Sequence, residues 1–325
     1  MIVRKQLLFL LLVLTLAVYS LPSTISAAEQ GQELETKSIQ VQDGFINYYL
    51  LHKENNADTK KTSLIIYLTG SDLTCVLGRN LENKPFFANV LAKLNEYSTS
   101  EIAMLIPDKT NIAIGQDGRN DMNVISHYTL QERVGGAVSV IDDFLSRNDY
   151  KSVFLVGASE GGAILPKVYN NLKYKDKVSK LVMLAGGGLS QYEEFKLLQK
   201  TKLPMPDNYR TELKKIDAVM TDIKAAPDAL DKTYMGWPYR RWSGFMSYRP
   251  IDELVKIDIP ILVVHGAQDI NTPVESSRMI AEEFSKQGKK NLTYIEYKHW
   301  NHYLSKEFNT LLKDMANWLK VDLAT

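Results

Sequence analysis

The run Gly157-Ala158-Ser159-Glu160-Gly161 sets a serine midway between two glycines, directly after the apolar stretch Ser152-Val-Phe-Leu-Val156. A serine hydroxyl is a weak nucleophile until a base takes its proton. The spacing suits that use. A strand-to-helix turn tight enough to lift the hydroxyl clear of the backbone has no room for side chains two residues either side, and glycine brings none. The helix that starts here points its amino end at the reaction centre and favours negative charge there. The chemistry implied is acyl transfer, with Ser159 as nucleophile. The plain alternative is a Gly-rich turn with a surface serine, so the partners decide.

The chain has five histidines: His52, His127, His265, His299 and His302. With the serine on such a turn, the expected order is serine, acid, histidine. His52 and His127 precede the serine. His265 leaves a strand immediately before Gly266 and precedes the best acid. His299 and His302 follow the strand-like run Leu292 to Tyr297, where a base must hang to reach the serine. His302, just before the last helix, is preferred, with His299 as the alternative. The acid must orient the histidine and stabilise its cation. Asp269 follows the strand Ile259 to Val264, three residues past Gly266, and is the choice. Asp258 precedes that strand and belongs at the opposite edge of the sheet. The developing oxyanion needs backbone N–H donors. Those of Glu160 and of Ser71, in Thr69-Gly70-Ser71-Asp72, are the candidates. The Glu160 carboxylate has no necessary part in this and is expected to be solvated or locally bonded.

Elements must place these residues. Ser38 to His52 reads as two strands around a Gln42-Asp43-Gly44 turn. Ser63 to Leu68, Ile102 to Ile106, Ser152 to Val156 and Lys180 to Leu184 are short continuous apolar runs, as expected of strands buried on both faces. Helical spacing separates them at Phe86 to Tyr97, Leu130 to Leu145 and from the serine to about Asn171. Strands alternating with helices imply a mostly parallel sheet. The rhythm stops between Leu189 and Lys256, about 65 residues without a strong strand candidate, and loops of such length are usually functional. This insert carries Trp237, Tyr239, Arg240, Arg241, Trp242, Phe245 and Tyr248. The rhythm resumes at Ile259, with helices at Val274 to Gln287 and Lys306 to Leu319.

Composition excludes other classes. Of 325 residues, 39 are Lys or Arg and 38 Asp or Glu, and no basic tract suggests nucleic acid. The one cysteine, Cys75, forbids an intrachain disulfide and a cysteine-built zinc site, and reads as a small buried side chain. At the N-terminus, Arg4 and Lys5 precede the apolar run Leu7 to Val18, then Pro22 and Ser26-Ala27-Ala28. That is the order of a secretory signal peptide with cleavage after Ala28. The expectation is a mature domain over 29–325, secreted or periplasmic, without stable membrane association. An N-terminal membrane anchor is the alternative, since Gln6 to Ala28 is long enough to span a bilayer.

At Gly157-Ala-Ser-Glu-Gly161, His265-Gly-Ala-Gln-Asp269-Ile-Asn-Thr-Pro273 and His302 the chain resembles the α/β-hydrolase superfamily, in its dienelactone-hydrolase and prolyl-oligopeptidase-like branch. The resemblance runs from about Ser38 to Leu319. It implies an α/β-hydrolase fold: a mostly parallel central sheet flanked by helices, with a helical lid at about 189–256 between late core strands. It implies a serine hydrolase cleaving an ester-type bond, a carboxylic ester or thioester, of a small-molecule acyl substrate through an acyl-enzyme, needing no metal or organic cofactor. The alternatives are a peptidase or amidase with the same triad, and a non-catalytic binding protein on this fold. Thr69-Gly70 stands where the family often has His-Gly, which leaves the backbone role intact. From the lid, Trp237, Arg240 and Arg241 are candidate substrate contacts, the arginines for an anionic group. The plainer reading is solvated arginines beside tryptophans that pack the lid.

Overall fold

The computed structural model describes residues 31–54, 59–304 and 308–320. The expected signal segment, 1–28, lies outside them. Among the described residues, no helix is long and apolar enough to cross a membrane.

The chain opens with a hairpin, β1 (Gln32–Val41) and β2 (Gly44–Lys53). β1 begins earlier than expected, because polar residues from Gln32 onward pair in register with β2. Then come β3 (Ser63–Leu68), α1 (Lys84–Tyr97), β4 (Ile102–Pro107), the short α2 (Met122–Ser126) and α3 (Leu130–Arg147). β5 (Ser152–Ala158), α4 (Glu160–Asn171) and β6 (Val178–Leu184) complete the first half. Together with β9 (Ile261–Gly266) and β10 (Leu292–Tyr297), the strands form an eight-stranded sheet in the order β1-β2-β4-β3-β5-β6-β9-β10. β2 runs antiparallel to both neighbours, and all pairings from β4 to β10 are parallel. This is the mostly parallel α/β-hydrolase sheet.

The central strands read as uninterrupted apolar runs because both faces are covered. On one face Leu64, Ile66, Leu155 and Leu181 pack with Val134, Ile141, Ile164 and Leu165 of α3 and α4. On the other, Ile65, Val156 and Val182 pack with Leu91 and Leu94 of α1 and with Leu311 and Met315 of α11 (Phe308–Lys320). Gly135-Gly136 does not break α3, which runs on to Arg147 behind a Thr129 cap whose hydroxyl accepts the Glu132 N–H.

The insert between β6 and β9 is built of α5 (Gln191–Leu198), α6 (Asp207–Leu213), α7 (Ile216–Ala225), α8 (Tyr239–Phe245) and α9 (Pro250–Leu254). A two-residue strand pair, β7 (Thr233–Tyr234) and β8 (Trp237–Pro238), was not expected. The stretch Tyr209 to Lys224 is divided between α6 and α7. The insert has a small core of its own, with Phe195, Leu198, Leu213, Ile216, Tyr234 and Trp242. After β9, α10 (Val274–Lys286) returns the chain to β10.

Candidate active site

Ser159 sits between β5 and α4 with φ 55° and ψ −123°, a left-handed conformation that a serine adopts only under constraint. Both flanking glycines are required. A Cβ on Gly157 would run into the carbonyl of Gly161, and one on Gly161 into the carbonyl of Leu68 at the end of β3. The turn therefore stands directly against the loop after β3. A Cβ on Gly70 of that loop would lie 3.7 Å from the Ser159 hydroxyl oxygen.

His302 Nε2 lies 2.9 Å from Ser159 Oγ, and His302 Nδ1 lies 2.7 Å from Asp269 Oδ2. The loops carrying acid and base are stitched together. Ala267 N–H donates to the Tyr297 carbonyl at 2.9 Å and Gln268 N–H to the Trp300 carbonyl at 2.8 Å. Trp300 is buried and stacks on Tyr297 with ring centres 3.7 Å apart. His299 is exposed, while His52 and His127 pair with Glu35 and Glu132.

Asp269 is 1% exposed. Its Oδ1 accepts the N–H groups of Asn271 at 2.8 Å and Thr272 at 2.9 Å. His265 Nε2 stands 3.1 Å from Oδ2 and 3.0 Å from the Thr272 carbonyl, and His265 Nδ1 2.7 Å from Ser277 Oγ. Burial works against the Asp269 charge, but His302 and His265 outweigh it and hold the carboxyl well below the usual carboxylate range. His265, set aside as a base, is thus the wall behind the acid. Its spacing from Asp269, four residues across a strand exit, was the available signal.

Glu160 and the lid arginines depart from expectation. The Glu160 carboxylate is neither solvated nor locally bonded; it is 4% exposed. Oε1 accepts the Tyr128 hydroxyl at 2.5 Å and Arg133 Nε at 3.2 Å, and Oε2 accepts Arg241 Nη2 at 2.7 Å. Burial opposes its charge, yet Arg241, Arg133 and Tyr128 together hold it below its ordinary range. Arg241 is 2% exposed, with its guanidinium 4.3–5.5 Å from the ring centres of Trp242, Phe245, Trp237 and Tyr128. It is therefore a structural cation and not a free anchor for a substrate anion. Arg240 is half-buried and donates to the Ser126 carbonyl at 3.0 Å. Trp237 is half-buried against Tyr128, 5.1 Å between ring centres.

Sequence reading missed Arg133 and Lys109. Arg133 lies on the buried stripe of α3 with Leu130, Val134 and Ala137. A charge on an apolar stripe demands a buried partner, and that was its signal. Lys109 Nζ donates to Thr69 Oγ1 at 3.0 Å; burial and the nearby Arg133 bring its pKa down to about 8. Cys75 is buried 3.2 Å from the Tyr49 hydroxyl, with its thiol pKa raised by burial and by Asp108. Among the described residues, no cluster of His, Cys, Asp and Glu could hold a metal ion.

The family model described as serine aminopeptidase S33 matches residues 118–309, more than half of the chain. The chain belongs to this family of serine hydrolases. No curated protein matches the hydrolase by sequence. Solved structures share its fold. Est1E from Butyrivibrio proteoclasticus is 18% identical at TM-score 0.56, over 87% of this chain and 97% of its own. An esterase of Pyrococcus furiosus is 13% identical at 0.55, over 92% and 95%. An acylaminoacyl peptidase of Pyrococcus horikoshii is 12% identical at 0.57, over 91% of this chain but only 43% of its own.

Proposed function

We propose that the hydrolase cleaves a carboxylic ester or thioester of a small acyl compound through an acyl-enzyme on Ser159. The observation that carries this is the continuous relay from Ser159 Oγ through His302 to Asp269, at 2.9 Å and 2.7 Å. Ser159 Oγ attacks the carbonyl carbon as its proton passes to His302 Nε2. Asp269 holds the imidazole orientation and stabilises the cation that forms. The oxyanion is met by the Glu160 N–H, in the first turn of α4 where helical N–H groups lack internal acceptors, and by the N–H of Ser71. His302 then gives its proton to the leaving alcohol or thiol. Water attacks the acyl-serine, its proton passes to His302, and collapse of the second oxyanion returns that proton to Ser159. No step calls on a cofactor.

The ester reading is supported by the near end-to-end likeness to the Pyrococcus furiosus esterase. Peptide cleavage by the same relay is the second reading, favoured by the family's description and by the likeness to part of an acylaminoacyl peptidase. A binding protein that had lost catalysis would have no reason to keep the relay intact. A place outside the cytoplasm rests on the order of residues 1–28, and a mature N-terminus at Glu29 would support it.

The test is a fluorophosphonate probe on the purified hydrolase beside Ser159→Ala, with the label located by mass spectrometry. Label on Ser159 alone is expected, followed by turnover of ester or thioester and little of peptide in a mixed panel. A folded protein that takes no label would overturn the reading; peptide turnover alone would replace it with the second.

A further inference from the structure

The oxyanion donors come from two segments that share no backbone bond: the loop after β3 and the first turn of α4. Transition-state stabilisation depends on how firmly both are held before charge develops, since donors must lie within about 2.7–3.1 Å of the oxyanion. One side chain touches both segments. Arg133 of α3 donates through Nε to Glu160 Oε1 at 3.2 Å and through Nη2 to the Thr69 carbonyl at 3.0 Å. These two N–H groups share one edge of a planar, rigid fork, so the spacing between their acceptors is set by the guanidinium. Thr69 is gripped a second time, at its hydroxyl, by Lys109 Nζ at 3.0 Å. Glu160 is gripped again by Tyr128 and by Arg241.

We propose that Arg133 is a positioning residue for the oxyanion hole, fixing the loop at Thr69–Ser71 against Glu160 so that both backbone donors are in place before the substrate carbonyl arrives. The inference rests on the reading of Ser159 as nucleophile. Arg133 touches no reacting atom; it acts through the peptide that leads into Gly70 and Ser71 and through the carboxylate of the residue after the nucleophile.

The test compares wild type with Arg133→Lys, which keeps the charge but offers a point donor where the fork spans two acceptors. Glu160→Gln, near-isosteric and with its backbone N–H retained, loosens the same brace from the other side. kcat and KM are measured for an aryl ester, with affinity for a trifluoromethyl ketone whose serine adduct is an oxyanion. Circular dichroism and thermal melting report folding. Removal of a whole donor lowers kcat about 10²–10³-fold elsewhere, so a loosened donor is expected to lower it about 10–100-fold, with KM within about 2-fold. Ketone affinity should fall in step with kcat/KM. Addition of methylguanidine to a folded Arg133→Ala should restore part of kcat. Folded variants with kcat within 2-fold of wild type, or with the loss confined to KM, or with unchanged ketone affinity, would overturn the proposal. If Arg133→Lys does not fold, Glu160→Gln decides on the same three readouts. Fluorophosphonate labelling of Ser159 in wild type keeps the outcomes separate. Its absence would remove the nucleophile reading itself, whereas labelled wild type with unaffected variants would remove only the role of Arg133.

Discussion

Arg241→Met would release the lid from the nucleophile turn, and its cost follows from the contacts. The methionine keeps an apolar stem among Trp237, Trp242 and Phe245, so the change is chiefly loss of the ion pair to Glu160, 2.7 Å long between groups each 2% exposed in the side chain. Solvent screening is small at that burial. Two unit charges about 4 Å apart attract by about 4 kcal/mol at an effective dielectric near 20. Breaking a buried pair from one side typically costs about 3–5 kcal/mol, because the partner is left charged and dry. Here Arg133 and Tyr128 remain on Glu160. The expected loss is therefore about 2–4 kcal/mol, or roughly 4–8 °C in Tm if a chain of this size loses about 2 °C per kcal/mol. Urea and thermal unfolding of wild type, Arg241→Met, Glu160→Gln and the double variant complete the cycle. The double variant should lose less than the sum of the singles by at least about 1 kcal/mol. An Arg241→Met loss below about 0.5 kcal/mol, or a strictly additive cycle, would refute the claim that this pair ties the lid to the site.

Asp269→Asn should cut kcat by about 10⁴-fold, since the amide favours the wrong tautomer of His302. It should also change acid stability: burial opposes the Asp269 charge, but His302 and His265 hold its folded pKa below the unfolded value of about 3.9, so its contribution is full above about pH 4 and is lost as pH falls through the folded value. The stability gap between wild type and variant, followed by urea titration from pH 7 to pH 2, should be flat at first and then close; a constant gap would contradict this. Glu194, buried in the lid where it accepts the Ser276 hydroxyl at 2.8 Å, has the opposite sign: burial, with Asp269 and Glu193 nearby, raises its pKa, so its proton stabilises the fold at low pH and that stability drains as pH rises above about 4.3. Glu194→Gln should therefore gain on wild type between pH 5 and pH 8 in thermal melts, and a pH-independent difference would count against a protonated Glu194. His299→Ala should leave kcat/KM within about 2-fold in an ester assay while His302→Ala abolishes turnover; the reverse would exchange their assignments.

Local pattern was enough for much of the fold. Ser63–Leu68 is a strand at the bounds its apolar run suggests, because a strand covered on both faces has no polar position to blur its ends. Leu292–Tyr297 also keeps its expected bounds, although it is a half-buried edge strand containing Thr293 and Glu296. The edge was harder. β1 mixes exposed and half-buried residues, so Gln32 to Lys37 carries no strand pattern of its own, and its pairing with β2 supplies the hydrogen bonds that make it a strand. The lid was legible as an interruption and not as a structure. Its helices are short, and the break between α6 and α7 is set by packing of Leu213 and Ile216 in the lid's own core.

The sequence by itself determined the serine on its turn, the order of acid and base, and the strands that carry them. Those follow from constraints that act within a few residues: glycines that clear a turn, apolar runs that must be buried, a loop that must follow a strand. The tertiary structure decided what stands behind each of these groups. That Glu160 is ionised and dry, that Arg241 serves the fold and not a substrate, that His265 backs Asp269, and that Arg133 joins Thr69 to Glu160 all depend on side chains brought together from distant parts of the chain. A buried charge announces only that it needs a partner; which partner meets it is fixed by how the helices and the lid pack on the sheet.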